Sequence, residues 1–290
     1  MRIGDYEAGR LLGEGGMGRV YAATHVRLGE QVALKDLSIE DPAMREQFLL
    51  EAKLLYNLRH PCFPTVKDYF EHRGRHYLVM DLIAGASLQS IIESETRVAE
   101  TELQWMLDQI LEGLAYLHAA GIVHRDIKPG NIMVEKVARR AVLVDFGIAR
   151  GTARGVHTIA VARAAFTPHM APPEQYRGEL STPATDLFQV GATAYYALTG
   201  VLPPESIGLR SDADLPDPRA HFASVSRNAA AIIVRAMSLL PAARHASAAA
   251  MRAQWLDAGT ARNGPVTAVS ARALDTFRQA RSQDIRRRPI

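Results

Sequence analysis

The chain carries a single cysteine, Cys62, among its 290 residues. That excludes an intrachain disulfide and fits a reducing compartment, where thiols stay free. No run approaches the ~18 consecutive apolar residues that mark a membrane-spanning helix. The N-terminus also lacks the charged-then-apolar pattern of an export leader. The expectation is a cytoplasmic chain, or the cytosolic part of a longer membrane-anchored protein. An excess of either charge is missing too: the formal net charge is +3, too small to imply nucleic-acid binding by the whole chain. The distribution is uneven, however. Residues 261–290 hold seven Arg against two Asp, a net +5 that leaves −2 on the remainder. Hydrophobic residues make up 48% and charged residues 22%, as in an ordinary globular protein long enough for one large domain or two small ones.

What is present centres on His124-Arg125-Asp126-Ile127-Lys128-Pro129-Gly130-Asn131. Eight residues hold a base, two cations and an amide side chain, between apolar runs. Pro129 and Gly130 forbid a continuing helix, so the polar groups belong on a fixed loop. Loops held by a rigid scaffold are where reacting groups tend to sit. A solvated turn is the plain alternative.

Upstream, Gly13-Glu14-Gly15-Gly16-Met17-Gly18 lets backbone N–H groups approach phosphate oxygens without a Cβ in the way. The pattern also marks dinucleotide folds, but those open a helix at the third glycine. Here Arg19-Val20-Tyr21 carries β-branched and aromatic residues, which predicts a second strand and a hairpin. Gln31 to Lys35 reads as another strand, ending in a lysine that is either solvated or functional. Asp41-Pro42 starts a helix, with Phe48, Ala52 and Leu55 as its apolar stripe and an end near residues 57–60, before Pro61. Glu51 falls on the same inward side and needs a cationic partner there, for which Lys35 is the natural choice. Otherwise Glu51 merely edges the stripe, solvated.

Tyr77 to Ile83 reads as a strand running into a glycine-containing linker, and Thr101 to Ala120 as a helix. Met106, Ile110, Leu114 and Leu117 lie on one face of that helix, with Gly121 as its C-cap. Val142-Leu143-Val144 is a short buried strand leading to Asp145-Phe146-Gly147, where an acid before a flexible glycine suits a Mg²⁺ ligand. Asp186 to Thr199 is apolar nearly all round, a core helix, and Ala229 to Trp255 supplies the last helices. Val266, Val269, Ala273 and Phe277 form a weak stripe in a basic tail that ends in Arg286-Arg287-Arg288.

Taken together, these motifs resemble the bacterial eukaryotic-like (Hanks-type) serine/threonine protein kinases over roughly residues 6–256. The resemblance implies an α+β, bilobal fold. Residues 1–83 would form a small, mostly antiparallel β N-lobe with one regulatory helix, and residues 84–258 a larger, mainly α-helical C-lobe. Residues 259–290 would be a basic tail or linker. It implies transfer of the ATP γ-phosphate to protein Ser/Thr hydroxyls, with Mg²⁺ (or Mn²⁺) as cofactor. Asp126 would orient the acceptor, Lys128 contact the γ-phosphate, and Asn131 and Asp145 hold the metal. Lys35, kept by Glu51, would position the phosphates.

The nucleotide would lie against Leu12, Gly13, Gly15, Gly18, Val20 and Ala33 above. Met80, Asp81, Leu82 and Ile83 would line its hinge side, and Met133 its floor. Thr167 would seat the acceptor. Glu174 and Arg244 would form a buried structural pair, and Asp186 would bond the catalytic-loop backbone. Arg125 implies activation by phosphorylation of residues 148–171, at Thr158 or Thr152, through self-association in trans. The basic tail implies membrane proximity; no nucleic-acid partner is expected. Two departures, Phe166 before Thr167 and Met170 further on, bear on peptide docking. They leave a catalytically weak nucleotide-binding pseudokinase or scaffold as the alternative.

Overall fold

The computed structural model describes residues 1–15, 18–37, 52–53, 55–145 and 167–260. A six-stranded antiparallel sheet is built from β1 (Arg2–Ile3), β2 (Tyr6–Gly15), β3 (Gly18–His25), β4 (Gln31–Leu37), β5 (Val66–His72) and β6 (Arg75–Asp81). The spatial order is β1-β2-β3-β4-β6-β5. The glycine-rich stretch is the predicted hairpin: β2 and β3 pair antiparallel, closing at Gly15 opposite Gly18. In β4 the two-residue period of a strand divides the side chains between two faces. Val32 and Leu34 join Ile3, Tyr6, Ala8, Ala23, Tyr77 and Val79 in a sheet core. Ala33 and Lys35 project to the opposite side. Stacked rings at Tyr6–Phe70 (5.6 Å) and Phe70–Tyr77 (5.4 Å) extend that core.

Residues 52–53 and 55–57 are helical, and Ala52 and Leu55 are buried in a second, larger core with Leu58, Phe63 and Leu78. The start predicted at Asp41-Pro42, Phe48 and Glu51 lie outside the described residues. β6 stops at Asp81, two residues short of the expected Ile83, because Leu82 and Ile83 have left the sheet.

The second core continues through a helical lobe. β7 (Ala86–Ser87) leads into α1 (Leu88–Glu95), whose first turn is capped by Ser87 Oγ accepting from the Ser90 N–H at 3.1 Å. α2 (Glu100–Ala119) carries Met106, Ile110, Leu114 and Leu117, each 1% exposed or less. Full burial of one such side chain contributes about 1.5–3 kcal/mol. Gly121 takes φ +74° past the helix end, a left-handed turn that glycine adopts at no steric cost. β8 (Ile132–Glu135) and β9 (Arg140–Leu143) complete a three-stranded sheet with β7. β9 is set two residues earlier than expected at its start, and Val144 falls beyond its end.

Beyond it lie α3 (Pro173–Tyr176), α4 (Pro183–Thr199), α5 (Pro218–His221), α6 (Arg227–Ala236) and α7 (Ala248–Thr260). α4 is the central helix. Thr182 and Thr185 form a capping box at its start, and its Leu187, Val190, Ala194 and Tyr195 are at most 1% exposed. α7 packs on α2 through Trp255 and an Arg252–Asp108 pair at 2.6 Å. No helix among the described residues is long and apolar enough to cross a membrane.

Candidate active site

The loop from His124 to Asn131 is held from beneath by the first turn of α4. Asp186 Oδ2 accepts from the His124 N–H at 2.9 Å and Oδ1 from the Arg125 N–H at 2.8 Å. His118 Nε2 lies 2.8 Å from Oδ2. Arg125 sits at φ +72°, in the left-handed region, a conformation that costs about 1–3 kcal/mol and persists only where neighbours over-determine it. The next residue, Asp126, is 3% exposed. Its Oδ2 accepts from Asn131 Nδ2 at 2.9 Å and faces Lys128 Nζ at 3.1 Å. Lys128 Nζ also donates to Thr167 Oγ1 at 3.1 Å, and Thr167 Oγ1 lies 3.4 Å from Asp126 Oδ1. Asp126, Lys128 and Thr167 thus converge on one point, where a base, a cation and a hydroxyl meet.

Across the cleft, Lys35 Nζ donates to Asp145 Oδ1 at 2.8 Å. Asp145 is also left-handed, at φ +56°. Desolvation at the cleft floor alone would raise its carboxyl, but the charge and hydrogen bond of Lys35 outweigh this and hold it below the usual carboxylate range. The Val144 N–H donates to the Asn131 carbonyl at 2.8 Å, and Asn131 Nδ2 reaches the Asp145 carbonyl at 3.4 Å. These bonds tie Asn131 to the main chain at Val144 and Asp145. Asn131 commits its Nδ2 to Asp126, leaving Oδ1 as a metal ligand, and Asp145 commits Oδ1 to Lys35, leaving Oδ2. Hard oxygen donors of this kind fit Mg²⁺, which binds through one or two carboxylates and takes its other ligands from phosphate and water. Among the described residues no group of three or more His, Cys, Asp or Glu side chains forms an all-protein metal cage.

Between the lobes lies a cavity of about 400 Å³, a size suited to a small-molecule ligand. Leu12, Gly13 and Val20 of the hairpin roof it, with Ala33 of β4 behind them. Met80, Asp81, Leu82 and Ile83 form the linker side and Met133 the floor, with Asp145 at the inner end.

Comparison with known proteins places this geometry. Residues 6–256 match the model of the protein kinase domain. The chain belongs to the protein kinase family. Among its relatives, the kinase domain is 36% identical over 267 residues to the serine/threonine-protein kinase pkn3 of Myxococcus xanthus, covering 86% of this chain and 49% of that protein. It is 34% identical to a probable serine/threonine-protein kinase of Streptomyces coelicolor, over 86% of this chain and 39% of the relative. It is 38% identical to PknA of Mycobacterium tuberculosis, over 69% and 48% respectively. The chain thus spans half or less of the length of these relatives. A crystal structure of Rad53 residues 1–466 in complex with AMP-PNP superposes with a TM-score of 0.71 at 25% identity, covering 87% of this chain and 65% of that one.

Within the kinase domain, most of the residues singled out in the sequence meet around the cleft. Gly15 and Gly18 form the closing pair of the hairpin and do not line the cavity. Lys35 is likewise outside the lining, turned to Asp145. Glu51, Phe146, Gly147, Phe166, Thr152 and Thr158 lie outside the described residues, as do residues 261–290. The Asp81 carboxylate faces away from the cavity: Oδ2 accepts from the Thr65 N–H at 3.0 Å and Oδ1 pairs with Lys67 at 3.1 Å. Its own N–H donates to the Thr65 carbonyl at 3.0 Å. Thr65 and Lys67 thereby brace the linker, and no sequence pattern marked them. His118, Gln175 and Gln189 beneath the catalytic loop were also not anticipated as supports. Gln189 has a signal in retrospect, a neutral amide amid the apolar run Leu187, Phe188 and Val190.

Proposed function

We infer that this domain is an ATP-dependent serine/threonine protein kinase. The observation that carries the reading is the convergence of Asp126, Lys128 and Thr167 on one point, with Asn131 bonded to Asp126 and Asp145 lining an adenine-sized cavity. The names of the bacterial relatives support the acceptor class, and the ligand of the Rad53 structure supports ATP as donor.

In this reading the apolar cavity takes the adenine, and linker backbone groups beside Asp81 to Ile83 hydrogen-bond its edge. Lys35 directs the phosphates, and Asn131 and Asp145 would hold Mg²⁺. That ion, when bound, neutralises phosphate charge. Asp126 accepts a hydrogen bond from the substrate hydroxyl and takes its proton as the oxygen bonds to the γ-phosphorus. The bond from that phosphorus to the β,γ-bridging oxygen breaks, and ADP leaves with the electron pair. Lys128 offsets the charge that develops on the transferred group, and its contact with Thr167 suits an aliphatic Ser/Thr acceptor.

We further infer that the domain phosphorylates its own segment at Thr158 or Thr152 in trans, so that Arg125 gains an anionic partner. Incubation with radiolabelled ATP, acid hydrolysis and site mapping by mass spectrometry tests both statements. Label on phosphoserine and phosphothreonine, including Thr158 or Thr152, is expected. Label confined to phosphotyrosine would contradict the acceptor class, and phosphate found only outside residues 148–171 would contradict the segment assignment.

A further inference from the structure

The side chains of Asp126, Lys128 and Asn131 serve the nucleotide and the acceptor in this reading, and the main chain of the loop has a second set of partners. Between His124 and Ile127 the chain turns through the strained Arg125. Asp186 takes the N–H groups of His124 and Arg125, and the Asp126 N–H reaches His124 Nδ1 at 3.3 Å. The Arg125 carbonyl receives two hydrogen bonds, both from glutamine amides. Gln189 Nε2 of α4 donates to it at 2.9 Å, and Gln175 Nε2 of α3 donates to it at 2.9 Å. Gln189 Oε1 in turn accepts from the Ile127 N–H at 2.9 Å, and Gln189 Nε2 also reaches Gln175 Oε1 at 3.1 Å.

Gln189 is 2% exposed, so these bonds are made away from water, where unmade ones are costly. A carbonyl oxygen has two lone pairs, and both are filled here. The chemistry at position 189 is also demanding. Ile127 offers a donor and Arg125 an acceptor, so only a side chain that accepts and donates at once satisfies both. A serine is too short to bridge them, and a glutamate would set its carboxylate against the Arg125 oxygen. Asp186 and Gln189 are three residues apart on one face of α4, so a single helix turn grips the loop by its N–H groups and by its carbonyl.

We propose that Gln189 and Gln175 are positioning residues for phosphoryl transfer. They fix the Arg125–Asp126 peptide plane and thereby the direction in which the Asp126 carboxylate meets the acceptor hydroxyl. Because Gln175 directly follows Pro172-Pro173-Glu174, the same network ties the end of the acceptor platform to the catalytic loop. The proposal rests on the reading of Asp126 given above.

The test compares Gln175→Ala, Gln189→Ala and Asp126→Asn with wild type in the full chain. The measurements are kcat and KM for Mg-ATP with myelin basic protein as acceptor, the affinity for ADP, and the melting temperature. Gln189→Ala is expected to lower kcat by up to about 10²-fold, the scale of a small misplacement of a reacting group. Gln175→Ala, which removes one of the two bonds to the Arg125 carbonyl, is expected to lower kcat less. In both variants KM for Mg-ATP and ADP affinity stay at wild-type values, a split that general loss of structure would not give. Should Gln189→Ala fail to fold, the half-buried Gln175→Ala decides alone. Wild-type kcat in Gln175→Ala, or a kcat loss matched by an equal loss of ADP affinity, overturns the proposal. Asp126→Asn separates the two failures: wild-type turnover there overturns the reading of Asp126 itself. Loss there with full activity in the folded glutamine variants overturns the clamp alone.

Discussion

Lys35 and Asp145 are 110 residues apart in the chain and 2.8 Å apart in space. Each was recognisable from its neighbours in sequence, Lys35 closing an apolar strand and Asp145 following one. Their hydrogen bond was not, because a motif gives a residue's role and leaves its partner to the packing of distant elements. The same limit applies to Gln189 and His118, whose importance comes only from what lies across from them. His245 illustrates a residue with no motif at all. It is 3% exposed, and burial pushes its imidazole down from 6.5 to about 4, with the Arg235 charge acting in the same direction. Burial lowers His124 as well. Such groups are neutral in the fold, while the unfolded chain takes up the proton below about 6.5. The contribution of His245 to stability is therefore fully present above that pH and is lost as pH falls toward 4, and His124 acts with the same sign. The melting temperature is expected to drop across this window, and His245→Gln is expected to reduce the drop. A pH slope unchanged by the substitution would contradict the assignment.

α2 was legible because a period and a C-terminal glycine coincided. α4 was legible only as a near-continuous apolar stretch, and it starts at Pro183, three residues before the expected Asp186. Strand ends were less legible: β9 starts and stops with its partner β8, and β6 ends at Asp81 opposite Val32, which no local pattern records. The short 3₁₀ turns at Ser206–Gly208 and Asp212–Asp214 have no periodicity to read. The pairing of α3 with the turn before α7 was expected and is realised as a bidentate contact. Arg244 Nη1 and Nη2 meet Glu174 Oε1 and Oε2 at 2.6 and 2.9 Å, and Thr185 Oγ1 adds a bond to Oε1 at 3.0 Å. The arginine side chain is fully buried, so removing it leaves Glu174 charged and unpaired inside the lobe. Arg244→Ala is expected to lower the unfolding free energy by about 3–5 kcal/mol in urea titration. A loss below about 1 kcal/mol, the scale of an exposed pair, would contradict this.

At the scale of the molecule, one core lies within the β sheet, a larger one runs from β5 and β6 into the helical lobe, and Asp145 lines the cavity between the lobes. Residues 261–290 carry a net charge of +5. Each Arg near an anionic lipid surface contributes about 1 kcal/mol of attraction. Truncation after residue 260 is expected to abolish co-sedimentation with phosphatidylserine vesicles at low salt, and unchanged sedimentation would contradict a lipid role. The central claim is that phosphoryl transfer to Ser/Thr hydroxyls runs through Asp126. Its most direct test is the transfer rate from radiolabelled ATP in wild type and in Asp126→Asn, measured with nucleotide affinity in the same preparations. The expected result is a loss of about 10²–10⁴-fold in kcat, the range of a positioned base, with nucleotide affinity retained. Equal incorporation by the two proteins would contradict it.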